Sequence, residues 1–127
     1  MKKQNYILIS SFHLINLILI SFYLYPGSIF GYVIYGDFTK QPEIARDFAI
    51  SLNHFFVFIF LSTLGILAYR NNGKINILIK YLFSISIILE LMHIIIPLRT
   101  FELKDLLGNI LGTMLIIGIY KFKKKHV

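Results

Sequence analysis

The amino-acid sequence predicts an all-α membrane protein: a polytopic bundle of four transmembrane helices with both termini in the cytoplasm. Of its 127 residues, 57% are hydrophobic and 15% are charged, whereas a soluble domain has about 45–50% apolar and about 25% charged residues. A soluble fold of this size cannot bury so much apolar surface, and disordered chains are polar. The composition therefore excludes an ordinary soluble enzyme and an intrinsically disordered protein.

Four apolar segments approach the length of about 20 residues that a helix needs to cross the hydrocarbon core. Hydrocarbon cannot satisfy open backbone groups, so each segment is predicted to be helical. The predicted helices are residues 6–25, 48–69, 75–96 and 106–122, which form a single domain over residues 1–127. The third helix is predicted to stop at Pro97, and the fourth to end in the Lys-rich tail. Residues 26–47, rich in Pro and Gly, are predicted to be a loop on the outer membrane surface.

The basic residues predict the orientation, because cytoplasmic segments carry an excess of Lys and Arg. With both termini inside, nine basic residues are cytoplasmic and four are external. The cytoplasmic ones are Lys2, Lys3, Arg70, Lys74, Lys80, Lys121, Lys123, Lys124 and Lys125. The external ones are Lys40, Arg46, Arg99 and Lys104, and the acidic residues on or near the same side are Asp37, Glu43, Asp47, Glu90, Glu102 and Asp105. The net charge of +7 is thus a topology signal, with membrane lipids and not nucleic acid as the expected partner.

Ionisable residues inside the predicted helices point to a functional site, because each costs about 2.5–3.5 kcal/mol at a helix centre. Glu90 and His93 are spaced i, i+3 and share one helix face. In the fourth helix, Gly108 and Gly112 allow another helix to come close, so that stripe should face the bundle interior. The predicted ligand-binding residues are His54, Glu90, His93, Arg99, Glu102, Asp105 and Asn109. We expect Arg99 to pair with Glu90 or Asp105.

The chemistry of this cluster has several interpretations. Glu90 and His93 are candidate catalytic acid and base, but the sequence leaves open whether the protein is an enzyme. His54, His93, Glu90 and Asp105 could gather a zinc ion, yet no H-E-x-x-H motif accompanies them, and no metal or other cofactor is predicted. The absence of cysteine excludes thiolate metal sites. The cluster could also serve only to lock the helices together.

A family resemblance rests on the segment 90–112. Glu90, Arg99, Asp105 and Asn109 follow the pattern E-x8-R-x5-D-x3-N, with Asn109 continuing as Asn-x-x-Gly. This pattern, with a proline before the Arg, resembles the signature of the VanZ-like family. The segment 53–58 is similar to the Asp-Lys-x-x-His-aromatic segment of that family, although Leu52-Asn53 replaces Asp-Lys. His93 stands where the family usually has Gln.

The resemblance implies a plasma or inner membrane protein that faces the cell envelope. The family is named for a protein that lowers susceptibility to the glycopeptide antibiotic teicoplanin, so a role in glycopeptide susceptibility belongs to the first hypothesis. The first hypothesis is an outward polar pocket for a lipid-linked or lipophilic glycan-type ligand. In it Arg99 holds an anionic group, and Glu90, Asp105 and Asn109 position Arg99. The second is an intramembrane hydrolase or transferase acting on a membrane-anchored substrate. The third hypothesis is a structural partner subunit. A bundle of only four helices is also compatible with a homo-oligomer.

Overall fold

The computed structural model describes residues 5–46 and 48–127. Over these residues the chain forms five helices: α1 Tyr6–Leu24, α2 Ile29–Tyr35, α3 Leu52–Tyr69, α4 Ile75–Met92 and α5 Leu103–His126. Four of them, α1, α3, α4 and α5, are long and apolar enough to cross a membrane. The prediction of an all-α, multi-pass membrane protein is therefore confirmed. Lys2, Lys3 and Asp47, which enter the predicted charge distribution, lie outside the described residues.

Two central helices hold the bundle together, since α3 and α4 each contact all three of the other long helices. Phe12 of α1, Phe58 and Leu61 of α3 and Leu82 of α4 are fully buried where these helices meet. The chain alternates in direction, so α1 and α4 end where α3 and α5 begin. We call this end of the bundle the site end.

The third predicted helix is shorter than expected, because α4 ends at Met92 and not at residue 96. The backbone N–H groups of His93, Ile94 and Ile95 each bond at 3.1 Å to the carbonyl three residues earlier. The chain therefore continues past Met92 in tight turns instead of a regular helix. Pro97 explains the change, because proline disfavours the helical conformation of the residue before it and has no N–H of its own.

The starts of α3 and α5 also differ from the predicted ones at residues 48 and 106. Ser51 precedes α3, and its N–H donates to the Lys104 carbonyl at 3.0 Å, which ties the two helix starts together. α5 begins at Leu103 and continues to His126, so it includes the Lys-rich tail. Lysine is a good helix former, and with 24 residues the helix is about 36 Å long.

The predicted loop over residues 26–47 contains the short helix α2. The Ser28 hydroxyl caps its start by accepting the N–H of Gly31 at 2.9 Å. Gly36 ends it in the left-handed conformation, with φ 67°, which glycine adopts without a steric penalty. This serine and glycine were a readable pair of capping signals, so the prediction of a plain loop was wrong here.

Candidate functional site

Three helices bring titratable side chains together at the site end. His54 is in the first turn of α3, Glu90 in the last turn of α4, and Asp105 in the first turn of α5. All three are buried, and Glu90 has no exposed surface. One nitrogen or oxygen atom from each of the three side chains can be chosen so that all three atoms lie within 4.8 Å of one another. With His93 and Asn109, both also buried, they form what we call the polar cluster.

Close packing of α3 against α5 positions one side of the polar cluster. A Cβ atom on Gly108 would lie 2.6 Å from the Ser51 carbonyl oxygen, and one on Gly112 would lie 2.5 Å from the Phe55 carbonyl oxygen. Only glycine permits these two approaches, as the spacing of small residues predicts. Asn109, between the two glycines in sequence, is consequently held against α3.

The Gln41 and Asn109 contacts of His54 suit a neutral ring with its proton on Nδ1. Nε2 lies 3.3 Å from the amide nitrogen of Gln41, which can only donate, so Nε2 accepts. Nδ1 lies 3.0 Å from the Asn109 carbonyl oxygen, which can only accept, so Nδ1 carries the proton. Nε2 also lies 3.4 Å from Asp105 Oδ2. In that tautomer a lone pair of the imidazole faces a carboxylate oxygen.

A second facing pair is formed by His93 and Glu90. His93 Nε2 donates to the Tyr23 backbone carbonyl at 3.0 Å, which leaves the lone pair of a neutral ring on Nδ1. Nδ1 lies 3.2 Å from Glu90 Oε2. Glu90 Oε1 accepts the backbone N–H of Glu102 at 3.0 Å, but Oε2 has no hydrogen-bond partner among the described residues. A proton or a cation is needed between Nδ1 and Oε2, because two lone pairs repel each other.

Tyr23 of α1 completes the polar cluster. Its ring stacks on that of His93, with centroids 5.7 Å apart, and its hydroxyl donates to the Asn109 carbonyl oxygen at 3.1 Å. The same hydroxyl lies 2.8 Å from His54 Nδ1. The sequence did not single out Tyr23, because an aromatic residue at the end of a transmembrane helix is typical of the membrane interface.

Arg99 does not pair with Glu90 or Asp105, so that prediction was wrong. Its Nη2 donates to the Phe22 carbonyl at 2.7 Å and its Nε to the Tyr25 carbonyl at 3.2 Å. Carbonyls at a helix C-terminus have no partner within the helix, and the arginine therefore caps α1. Leu98, held at φ 59°, turns the chain back so that Arg99 reaches α1. Burial lowers the pKa of Arg99, and the neighbouring groups, including the two carboxylates, oppose this effect.

Glu102 contributes to the polar cluster through its backbone, because its side chain is exposed. Partial shielding of the carboxyl from water, followed by the charges of Asp105 and Glu43, raises the pKa of Glu102. The structure thus brings together five of the seven predicted site residues. Arg99 lies beside them, and the Glu102 side chain does not join them.

Outside the site, His13 and Asn16 of α1 contact the hydroxyls of Tyr69 and Tyr81 on neighbouring helices.

A cavity of about 690 Å³ lies between α1, α2 and α3 and reaches the polar cluster. Its apolar wall includes Ile18 and Phe60, which are 46% and 55% exposed on membrane-spanning helices, so the cavity is open towards the lipid. Its polar lining includes Tyr23, Ser28, Gln41, Asn53, His54, His93 and Arg99. An apolar trough that ends in hydrogen-bonding groups is complementary to an amphiphile.

Comparison with protein-family models, with curated proteins and with solved structures gives no match to this chain.

Proposed function

We propose that this membrane protein binds an amphiphilic ligand that enters the cavity from the bilayer. The single observation that carries the proposal is the continuity between the apolar cavity wall and the buried polar cluster. The volume of about 690 Å³ is within the range of about 300–1,000 Å³ of small-molecule sites. The hydrocarbon part of the ligand lies along α1 and α3, and its polar part meets His54 and His93.

The ligand class that we propose is a lipid-linked or lipophilic glycan. Imidazole and amide groups at the polar end of the cavity suit hydroxyl-rich groups, and Arg99 has guanidinium donors beyond the two that bond to α1. The resemblance to the VanZ-like family supports the same class, with the cell membrane as the location and glycopeptide susceptibility as the phenotype. The distribution of basic residues supports a site end that faces away from the cytoplasm.

A single-tryptophan experiment tests the proposal, because the chain contains no tryptophan. F60W places the fluorophore on the cavity wall, whereas I88W places it on the exposed surface of α4 as a matched control. The protein in nanodiscs is titrated with a polyprenyl-phosphate-linked disaccharide and, separately, with the free polyprenol. We expect a saturable emission shift with the disaccharide lipid in F60W and none in I88W. Equal responses of the two variants would contradict the proposal.

The contact between Glu90 and His93 favours a second candidate function, an intramembrane hydrolase or transferase. His93 lines the cavity, and its Nδ1 lies 3.2 Å from Glu90 Oε2, so the pair can exchange a proton beside a bound substrate. This candidate predicts that E90Q still binds the disaccharide lipid but no longer turns it over. Turnover that persists in E90Q would exclude it.

A further inference from the structure

We propose that His54, Glu90 and Asp105 form a binding site for one divalent transition-metal ion of the Zn²⁺ type. The proposal goes beyond the ligand-binding function and does not depend on it. The three side chains come from three different helices, yet their ligand atoms lie within 4.8 Å of one another. One imidazole and two carboxylates are a ligand set that zinc accepts, since it binds both nitrogen and oxygen donors.

The distance between His54 and Asp105 fits a shared metal ion. Two ligand atoms that are each about 2.1 Å from a tetrahedral zinc ion lie about 3.4 Å apart. His54 Nε2 and Asp105 Oδ2 are 3.4 Å apart. In the tautomer with the proton on Nδ1, the Nε2 lone pair is available to the metal.

The surroundings of His54 match those of a metal-binding histidine. Such a histidine donates its other ring N–H to a carbonyl or carboxylate, which fixes the ring and its tautomer. Here Nδ1 donates to the Asn109 carbonyl oxygen at 3.0 Å. Gln41 makes a longer contact of 3.3 Å with Nε2 and lines the cavity, so a small movement of its side chain frees Nε2 for the metal.

Glu90 supplies an independent observation that points to a cation. Its Oε2 atom is fully buried and makes no hydrogen bond among the described residues unless a proton lies between it and His93 Nδ1, 3.2 Å away. An unsatisfied buried carboxylate oxygen costs several kcal/mol. The guanidinium of Arg99 offsets this cost only in part, through its charge, because its described hydrogen bonds go to the α1 carbonyls. A divalent ion would balance the charges of Glu90 and Asp105 together.

The test is a metal titration of the full-length protein in detergent, after removal of bound metal with a chelator. Co²⁺ is added alone and followed by its visible absorption, and Zn²⁺ then competes with it. We expect one Co²⁺ per chain, displacement by Zn²⁺, and a higher Tm in the presence of Zn²⁺. The isosteric variants E90Q and D105N should bind at least about 100-fold more weakly, because even an outer-shell change costs 10–100-fold.

The control is the double variant H13Q/H126Q, which removes both histidines outside the polar cluster and should bind as the wild type does. A wild-type protein that binds no stoichiometric metal overturns the proposal, whether or not any variant folds. Binding that is unchanged in both E90Q and D105N also overturns it. Loss of metal binding in H13Q/H126Q would assign the metal to the surface histidines and would also overturn the proposal. None of these outcomes bears on the tryptophan experiment, which uses no metal.

Discussion

The ring of His93 stacks on the ring of Tyr23, with the planes inclined by 15°, while His93 Nε2 donates to the backbone carbonyl of the same tyrosine at 3.0 Å. These two contacts connect the end of α4 to the last turn of α1. They fix the imidazole in one orientation and one tautomer. The side of the polar cluster that lines the cavity is therefore held from two directions.

Removal of the Tyr23 hydroxyl should destabilise the bundle. Y23F deletes the donor to Asn109 and the contact with His54 but keeps the stacked ring. We expect a loss of about 0.5–2 kcal/mol, because Asn109 Oδ1 keeps its contact with His54 but loses one of its two donors. Thermal unfolding in detergent measures it. The matched control is Y25F on the exposed Tyr25, and an equal loss in both variants would contradict a specific role of Tyr23.

The close approach of α3 and α5 predicts opposite effects of two glycine substitutions in one helix. G108A should destabilise the protein by about 1–3 kcal/mol, because the new methyl group meets the Ser51 carbonyl. G118A has open space at the same atom and should be neutral or stabilising by up to about 1 kcal/mol, because alanine favours helix. The free energy of unfolding of both variants checks this. A G108A protein as stable as G118A would show that the helices do not pack so closely.

Because Arg99 caps α1 with two hydrogen bonds, we predict that a positive charge at this position is not sufficient to keep the cap stable. R99K keeps the positive charge, but a single ammonium group cannot reproduce the two guanidinium bonds to Phe22 and Tyr25. We expect a loss of about 1–2 kcal/mol and faster hydrogen exchange in the last turn of α1. R46K, at an exposed arginine beside Glu43, should change stability by less than about 0.5 kcal/mol. Unchanged exchange in R99K would argue against the cap.

The raised pKa of Glu102 predicts that the stability of the fold depends on pH. Partial shielding from water and the neighbouring carboxylates favour the protonated form of Glu102 in the folded state. Its contribution to stability is thus present below the ordinary pKa of Glu and is lost as the pH rises through the raised value. E102Q should flatten this decline when Tm is measured from about pH 4 to about pH 7.

Asp37 serves as the contrast for Glu102. Hydrogen bonds from the Thr39 side chain and backbone lower the pKa of Asp37. Its contribution is present above the ordinary pKa of Asp and is lost as the pH falls through the lowered value. D37N should therefore change the pH profile in the opposite direction from E102Q. Changes of the same sign in the two variants would refute this assignment.

Thiol labelling of intact cells tests the proposed orientation, and the natural absence of cysteine leaves no background. K40C lies at the site end and N71C in the exposed turn between α3 and α4. A membrane-impermeant maleimide should label K40C in intact cells and N71C only after permeabilisation. The reverse pattern would invert the protein and place the polar cluster on the cytoplasmic side.

The parts that the sequence predicted well depend on short-range patterns. The length of the apolar segments indicated the four long helices, and the spacing of Gly108 and Gly112 indicated the close helix pair. His54, Glu90 and Asp105 could be grouped because each lies near a helix terminus at the same predicted end. These inferences need only the geometry of single helices and the thickness of a membrane.

The predictions that were wrong or missing concern contacts with backbone atoms and between distant helices, which the pattern of side chains in the sequence does not reveal. Arg99 binds the carbonyls at the end of α1, and whether it can do so depends on the left-handed turn at Leu98. Tyr23 was overlooked because its sequence position suits a lipid interface as well as a buried hydrogen-bond network. Both residues acquire their roles only when distant helices have come together.

The lipid-facing opening of the cavity changes what determines its occupancy. The exposed side chains of Ile18 and Phe60 border the cavity and, in a bilayer, would lie next to the acyl chains of the surrounding phospholipids. A ligand that enters from the bilayer, as proposed, would compete with those phospholipids for the cavity. The occupancy of the cavity would then depend on the mole fraction of the ligand in the leaflet and not on its concentration in water.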